Sequence, residues 1–251
     1  MEEYENAEEQ EEQEKQVDLR KYQGLLKQIY AVALQAGIPK NNVVNSKKEW
    51  LIKRVSGARA ENNPIDLAVD FIYGKLGLWV NSGFTFVVDG GDANSRVRVD
   101  IGYAILMNAI IKRCCTFSPG NDGIARVVAF PEIVSACMDY NLITEMTRML
   151  DEYSFLFISE VDYDSKVYFN TNRRLPSVMN TAIRRRINSG KLTIFSVRGK
   201  LDSLEPGRRG IDVEGLQLSD VLGTEFEDIV RLVEHKRSAV YEHEGFCRIA
   251  L

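Results

Sequence analysis

The sequence predicts an α/β protein in which a parallel sheet is covered by helices on both faces. Short apolar runs without the alternation of a half-exposed strand recur along the chain: Phe84–Val88, Arg126–Phe130, Ser154–Ile158 and Leu192–Val197. Strands of this kind are typical of parallel sheets buried between two layers of helices. A helical pattern separates each successive pair of runs, as parallel connections require.

The helices are predicted from apolar spacing and from the residues at their ends. Near the N-terminus, apolar residues recur at intervals of three and four, and Gly37 and Pro39 end the helix that carries them. Asn63 and Pro64 start a second helix that runs to Tyr73. The apolar stripe of the first helix comprises Tyr22, Leu25, Leu26, Ile29, Val32 and Ala33. Further helices are predicted over Val97–Arg113, from Pro131, over Pro176–Asn188 and over Leu218–Glu234. Short strands are predicted at Ala239–Tyr241 and Phe246–Ile249.

The composition excludes several classes of protein. The chain has 251 residues, 45% hydrophobic and 27% charged, which is an ordinary balance for a globular domain. No run approaches the length of a membrane span, and the acidic start is unlike a secretory signal. Four cysteines without CxxC spacing argue against a disulfide scaffold, and His235 and His243 lack a third zinc ligand. We therefore expect a protein of the reducing cytoplasm, with no zinc and no membrane partner.

The net charge of −4 conceals an acidic N-terminal region. Residues 1–20 contain nine acidic and two basic residues, a net charge of −7, which leaves +3 for the rest of the chain. Residues 1–18 have too little apolar surface to fold alone and are predicted to be a disordered acidic tail. We assign 19–40 to a helical segment that is a candidate docking element, and 41–251 to one domain. The helix of that segment would either dock in a partner's groove or pack against its own domain.

A candidate phosphate-binding loop follows the first strand and precedes a helix. Set against the pattern GxxxxGK[ST], the chain retains Gly90 but has Ser95, Arg96 and Val97 where the pattern has its second glycine, lysine and hydroxyl residue. The loss of the hydroxyl removes a metal ligand, and the planar guanidinium of arginine is no simple substitute for an ammonium. The alternative interpretation is an ordinary Gly-Gly turn into a helix.

The third strand carries a second partial motif. Phe155–Ile158 has the apolar run of a Walker B strand, but the two acids expected after it are reduced to Ser159 and Glu160. Serine cannot supply the carboxylate that holds a magnesium shell, whereas Glu160 could orient a water and is the candidate catalytic residue. Both partial motifs lack their metal-binding member, which indicates a nucleotide site with decayed hydrolysis.

In order and spacing, these segments resemble the bacterial DnaC/DnaI-type helicase loaders, a branch of the AAA+ ATPases. The resemblance extends from roughly Ala36 to Arg248. The position of the family's arginine finger falls on Ile229, so Arg231 could act as the finger only if the alignment is shifted by two positions. The matching segments are Ala36–Pro39, the Gly90–Val97 loop, Phe130–Met138, Ile158–Glu160 at Walker B, Thr193–Arg198 at sensor 1, Leu222–Arg231 around the finger and Gly245–Arg248 at sensor 2.

The resemblance implies an AAA+ type P-loop fold and a nucleotide ligand, ATP or ADP. Magnesium is in doubt because its ligands are replaced. The nucleotide-binding residues that it implies are Gly90, Gly91, Ser95, Arg96, Val97, Arg198, Arg231 and Arg248.

A basic region indicates a polyanionic partner. From Ser165 to Leu201 the chain has nine basic residues and no acid, with aromatic residues interleaved, which suits stacking on bases and contacts to phosphates. Dipole compensation at a helix end is the alternative role of the arginine triplet, whose members cannot all face one way. The candidate residues for binding single-stranded DNA are Tyr140, Lys166, Arg173, Arg174, Arg184, Arg185 and Arg186. Tyr140 and Arg148 lie where the loaders have an additional DNA-contacting element.

The resemblance therefore implies a helicase loader-like adaptor. Such a protein binds a hexameric replicative DNA helicase and single-stranded DNA, assembles into a spiral or ring, and hydrolyses nucleotide weakly or not at all. An antagonist of the helicase would use the same contacts. An ATP-dependent transposition regulator of the IstB type is a second alternative, and a slow ATPase that uses Arg96 and Glu160 is a third.

Overall fold

A computed structural model describes residues 23–44, 84–90, 95–116, 123–161, 174–198, 240–243 and 246–250. The predicted helices at 63–73 and 218–234, and the acidic residues 1–18, lie outside this part of the chain. The helices are α1 (23–35), α2 (Lys40–Val44), α3 (Ser95–Thr116), α4 (Phe130–Met138), α5 (Tyr140–Glu152) and α6 (Leu175–Asn188). The strands are β1 (Thr85–Gly90), β2 (Ala125–Ala129), β3 (Phe155–Val161), β4 (Leu192–Arg198), β5 (Val240–His243) and β6 (Phe246–Ala250).

The strands form one six-stranded sheet in the order β2-β3-β4-β1-β6-β5. The neighbouring strands β2, β3, β4, β1 and β6 are parallel to one another, and β5 pairs antiparallel with β6 at one edge of the sheet. Because β4 lies between β1 and β3, the carboxyl ends of these three strands are adjacent at one edge of the sheet. In register, Gly90 of β1 pairs with Arg198 of β4.

Two apolar clusters lie on the two faces of the sheet. One combines α1 and α3 with alternate residues of the strands, such as Phe86 and Ile194. The other combines α4, α5 and α6 with the intervening residues, such as Val87 and Phe195. The predicted fold class, a parallel sheet covered by helices on both faces, is therefore confirmed.

The N-terminal helix α1 packs against its own domain. Its buried residues Ile29, Val32 and Ala33 belong to the same apolar cluster as α3. Gly37 ends the helix with a φ of 90°, and the Ile38 amide donates to the Ala33 carbonyl. The Val127 amide of β2 donates to the Ala36 carbonyl at 2.7 Å. The structure thus favours the second of the two interpretations of this helix for its apolar stripe.

Glycine allows α3 to pack closely on β3. A Cβ atom added at Gly102 would lie 2.2 Å from the Phe157 ring, which is fully buried. Tyr103 meets the same ring edge-on, with centroids 5.3 Å apart. The close approach of these two elements matters for the site, because α3 carries its first turn toward the end of β1.

The helix predicted from Pro131 is interrupted. Asp139 is extended, with φ −101° and ψ 121°, and its carboxylate accepts a hydrogen bond from the Asn141 amide at 2.8 Å. It therefore acts as the N-cap of a separate helix, α5. The break turns the chain so that Met138, Tyr140 and Leu142 are exposed at the junction of α4 and α5.

Candidate functional site

The carboxyl edge of β1, β3 and β4 collects most of the described residues of the predicted nucleotide site, with Arg248 of β6 as the exception. Gly90 ends β1 and pairs with Arg198 at the end of β4, while Glu160 lies near the end of β3. Ser95 and Arg96 begin α3 and are exposed. Parallel α/β sheets bind ligands at this edge, at the carboxyl ends of their strands. Gly91 and Arg231 lie outside the described residues.

Arg98 joins the first turn of α3 to the end of β1. Its side chain is buried, and Nη1 donates to the Gly90 carbonyl oxygen at 2.5 Å. A charge-assisted bond of this kind fixes the start of the helix relative to the strand. Sequence reasoning missed Arg98, because an arginine in a first helical turn carries no signal that it folds back onto the preceding strand.

Val97 is half-buried and packs against the apolar cluster of α3. This is the position at which the P-loop pattern has the hydroxyl that binds magnesium. The counterpart on β3, Ser159, is buried, with 5% of its surface exposed. Among the described residues, no group of three or more His, Cys, Asp and Glu residues could hold a metal ion. Val97 has no oxygen atom in its side chain and Ser159 is buried, so these two positions offer no exposed ligand to a magnesium ion.

Glu160 has a strained backbone at the end of β3. Its φ of 58° lies in the left-handed region that non-glycine residues rarely adopt, and the pairing of β3 with β4 shifts register between Ile158 and Val161. The side chain is exposed. Burial raises the pKa of Tyr103 on α3, and the charges of Glu160 and Asp100 raise it further. Strain of this kind is common at functional sites.

Arg248 forms a buried ion pair with Asp89. Its Nε and Nη2 atoms donate to the two carboxylate oxygens of Asp89 at 2.9 and 2.8 Å, and both residues are at most 2% exposed. The pair joins β6 to β1, one residue before Gly90. The negative charge of Asp89 is therefore compensated inside the sheet and does not face a phosphate. Nucleotide contact by Arg248 stays a prediction, and it would require this pair to open.

Tyr140 and Arg174 come together on the surface. The guanidinium carbon of Arg174 lies 5.2 Å from the centroid of the Tyr140 ring, and Tyr140 is 74% exposed. Sequence reasoning proposed both for DNA binding without a reason to pair them. Arg184 and Arg185 are also exposed, on α6. Lys166 and Arg173 lie outside the described part of the chain.

Arg186 requires a correction to the predicted DNA-binding set. Arg186 is 1% exposed, and its guanidinium donates to Thr193 Oγ1 and to four carbonyl oxygens near the ends of α5, β3 and β4. Burial lowers the pKa of Arg186 to about 10, against the opposing effect of Asp151, so the group is charged at neutral pH. A side chain held in this way has no surface to offer to DNA. The acceptor carbonyls are those of Leu150, Tyr153, Ser154 and Leu192.

Comparisons with known proteins add a limited result. The parallel sheet, its two helical layers and the step from β1 to α3 are consistent with the AAA+ type of P-loop fold. No protein-family model matches the chain, and no curated protein matches it. The chain is similar to the solved structure of the DnaC helicase loader, with 18% identity and a TM-score of 0.44, over 76% of this chain and 93% of the other. No helix within the described residues is long and apolar enough to cross a membrane.

Proposed function

We propose that this protein is a helicase loader-like adaptor that binds a hexameric replicative DNA helicase and single-stranded DNA, with little or no nucleotide hydrolysis. The observation that carries the proposal is that Val97 packs half-buried against the apolar cluster of α3 and that Ser159 is buried. The family resemblance expects magnesium ligands at these two positions. An arginine-bearing edge without those ligands is suited to hold a phosphate as a structural ligand instead of cleaving it.

The nucleotide part of the proposal is tested by separating binding from hydrolysis. Binding of a fluorescent ADP or ATP analogue is expected to weaken in the double variant Arg96→Gln/Arg198→Gln, because both exposed cations lie at the edge where the phosphates would bind. Lys112→Gln, which removes an exposed charge at the far end of α3, is the matched control. ATP turnover above background that disappears in Glu160→Gln would contradict the loss of hydrolysis and favour the slow-ATPase alternative.

The DNA-binding part of the proposal rests on the exposed pair of Tyr140 and Arg174 and on the exposed arginines of α6, Arg184 and Arg185. An aromatic ring can stack on a nucleobase, while the neighbouring guanidinium contacts a phosphate or extends the stack. Tyr140→Ala is expected to weaken binding of an oligo(dT) by about tenfold, within the usual 1–3 kcal/mol per stacked base. Fluorescence anisotropy measures it. Unchanged affinity in Tyr140→Ala/Arg174→Gln would remove this surface from the proposal.

The helicase part places a contact on the outer side of α1. Leu26 and Leu34 are 47% and 42% exposed, on the side of the helix next to the face that lies in the core. With the half-buried Tyr30 between them, they form a stripe at intervals of four residues that borders the core and could also meet a partner. Leu26→Ser/Leu34→Ser is expected to abolish co-purification with a replicative helicase, whereas Lys27→Ser/Gln35→Ser on the same helix is not.

Unwinding assays distinguish the loader from the antagonist. A loader increases the amount of helicase that unwinds a substrate, whereas an antagonist lowers it at the same occupancy. Sedimentation with and without nucleotide and DNA tests assembly into a spiral or ring.

Retained helicase binding by the variant Leu26→Ser/Leu34→Ser would exclude α1 as the contact with the helicase.

A further inference from the structure

A polar groove lies between α5 and α6, on the face of the sheet opposite to α1. Its volume is about 760 Å³. It is lined by basic side chains from three elements, Arg148, Arg185 and Lys191, and by the hydroxyl groups of Thr147, Ser177 and Thr181. The side chains of Arg148 and Arg185 are 66% and 58% exposed. Thr147 Oγ1 donates to the Ile143 carbonyl and Lys191 Nζ to the Asp151 carbonyl, so the groove presents chiefly the donors of Arg148 and Arg185 to solvent.

The acidic residues of the groove only partly compensate its bases. Asp151 and Glu152 also line it. Arg148 pairs with Glu152 at 2.5 Å, while Arg185 and Lys191 share Asp151 at 4.0 and 3.8 Å. Three cations therefore share two carboxylates, and the two pairs to Asp151 are long. Exposed pairs such as Arg148–Glu152 contribute little to stability, so their cost of opening toward another anion is small. Lys191 is more firmly held, because it is half-buried and also donates to the Asp151 carbonyl.

The chain itself contains a complementary segment. Residues 2–18 carry nine acidic residues and one base, Lys15. Their carboxylates accept hydrogen bonds and suit the arginines and hydroxyls of the groove. Three glutamines and Lys15 can in turn donate to Asp151 and Glu152. A nucleic acid backbone has no such donors to offer these two carboxylates, so the mixed groove favours the segment over DNA.

The segment can reach the groove. It is joined to α1, which is fixed on the domain from residue 23. An extended chain of 22 residues spans about 70 Å, whereas a compact domain of about 230 residues is on the order of 45 Å across. Because the two are covalently linked, even a weak contact benefits from a high effective concentration.

We propose that the acidic segment 2–18 binds the groove between α5 and α6 of its own chain and there excludes polyanions. Binding of the segment does not depend on the proposed function, although its role as a competitor of single-stranded DNA rests on it. If the segment occupies the groove nine-tenths of the time, the apparent Kd for a ligand that needs the groove rises about tenfold.

The direct test uses a labelled synthetic peptide of residues 1–22 and a protein in which the nine acids are replaced by glutamine or asparagine. We expect saturable binding that weakens with salt and falls at least tenfold in Arg148→Gln/Arg185→Gln. The control Lys27→Gln/Lys112→Gln removes two exposed charges from α1 and α3 and should bind the peptide normally. No binding, or equal losses in both double variants, would overturn the proposal.

The competition is tested with oligo(dT) and with heparin. Replacing the nine acids is expected to tighten binding of both about tenfold at low salt, and the groove variant is expected to abolish that gain. A gain that persists in the groove variant would show long-range repulsion instead of docking and would contradict the proposal. Failure to bind oligo(dT) at all would count against the proposed function, while the peptide experiment would still decide the docking.

Discussion

At the scale of single residues, the buried arginines Arg186 and Arg248 have structural roles: each holds distant segments together through hydrogen bonds. Arg186 belongs to a triplet whose other members are exposed, yet it is 1% exposed and bonded to five oxygen atoms. Arg248 is 2% exposed and held by both oxygens of Asp89. In each case hydrogen bonds compensate the cost of removing a charge from water.

Replacing Arg186 by methionine is expected to destabilise the protein by about 3 kcal/mol or more, because several buried carbonyl groups lose their donor at once. Denaturant unfolding measures the change. Arg184→Met, two residues away and exposed on the same helix, serves as the control and should stay within about 0.5 kcal/mol. Similar losses in the two variants would show that Arg186 has no special structural role.

The thiols are expected to differ in reactivity. Cys115 is exposed, whereas Cys114, Cys137 and Cys247 are buried. Burial raises the pKa of Cys137 from 9.0 to about 11, with a small opposing effect of Arg174, and burial also raises that of Cys114. One thiol per native chain should therefore react quickly with a disulfide reagent at pH 8, and all four in denaturant. Two fast thiols in the native protein would contradict this assignment.

The raised pKa of Cys137 also has a consequence for stability. Between pH 9 and 11 the folded thiol keeps a proton that the unfolded chain releases, so this group makes the folded state less stable as pH rises. Below pH 9 the contribution is constant. Comparing wild type with Cys137→Ser across this range isolates the effect, because the serine hydroxyl does not ionise there.

At the scale of elements, the site depends on how α3 is seated against the sheet. Arg98 attaches the first turn of the helix to Gly90, and Gly102 lets its second turn approach Phe157. On the other side of β1, the Asp89–Arg248 pair joins the strand to β6. The carboxyl edge of the sheet is thus held by three contacts, although none of them belongs to the P-loop pattern itself.

Gly102→Ala is expected to lower stability by about 2 kcal/mol, since overpacking of a buried site costs about 1–3 kcal/mol. Calorimetry should show a fall of several degrees in Tm. Gly24→Ala, in α1 with open space around it, is the matched control and should be neutral or stabilising. Adding Phe157→Leu should recover part of the loss, because a smaller side chain leaves room for the new methyl group; no recovery would mean that another contact is responsible.

At the scale of the whole molecule, the N-terminal helix is part of the domain. Three residues of the helix, Ile29, Val32 and Ala33, and Ala36 just after it are at most 6% exposed, and the Ala36 carbonyl accepts a hydrogen bond from the Val127 amide of the edge strand β2. A boundary at residue 40 therefore does not separate two packing units among the described residues. Any partner that binds α1 must use its outer side.

Removing residues 1–37 is expected to lower Tm by about 10 °C or more, because the exposed core of α3 would cost several kcal/mol. Removing residues 1–22 retains the described helix and is the control, with a much smaller change. A folded, equally stable product of the longer deletion would show that α1 contributes little to the core.

The fold class follows from local patterns in the sequence. Runs such as Phe155–Ile158 are apolar at every position, and only a strand buried on both faces tolerates that, so the parallel sheet and its two helical layers were predictable. The helix end at Gly37 was predictable for the same reason, because glycine at positive φ is a local requirement.

What the sequence by itself determined is therefore the parallel sheet, the main described helices apart from the break at Asp139, and the edge where Gly90 and Glu160 lie. Only the tertiary structure decided which charged residues are structural, that Asp89 meets an arginine 159 residues away, and that Tyr140 lies beside Arg174. The physical reason is range: secondary structure depends on neighbours three or four residues apart, whereas burial of a side chain and the partner of its charge depend on which distant segments pack together.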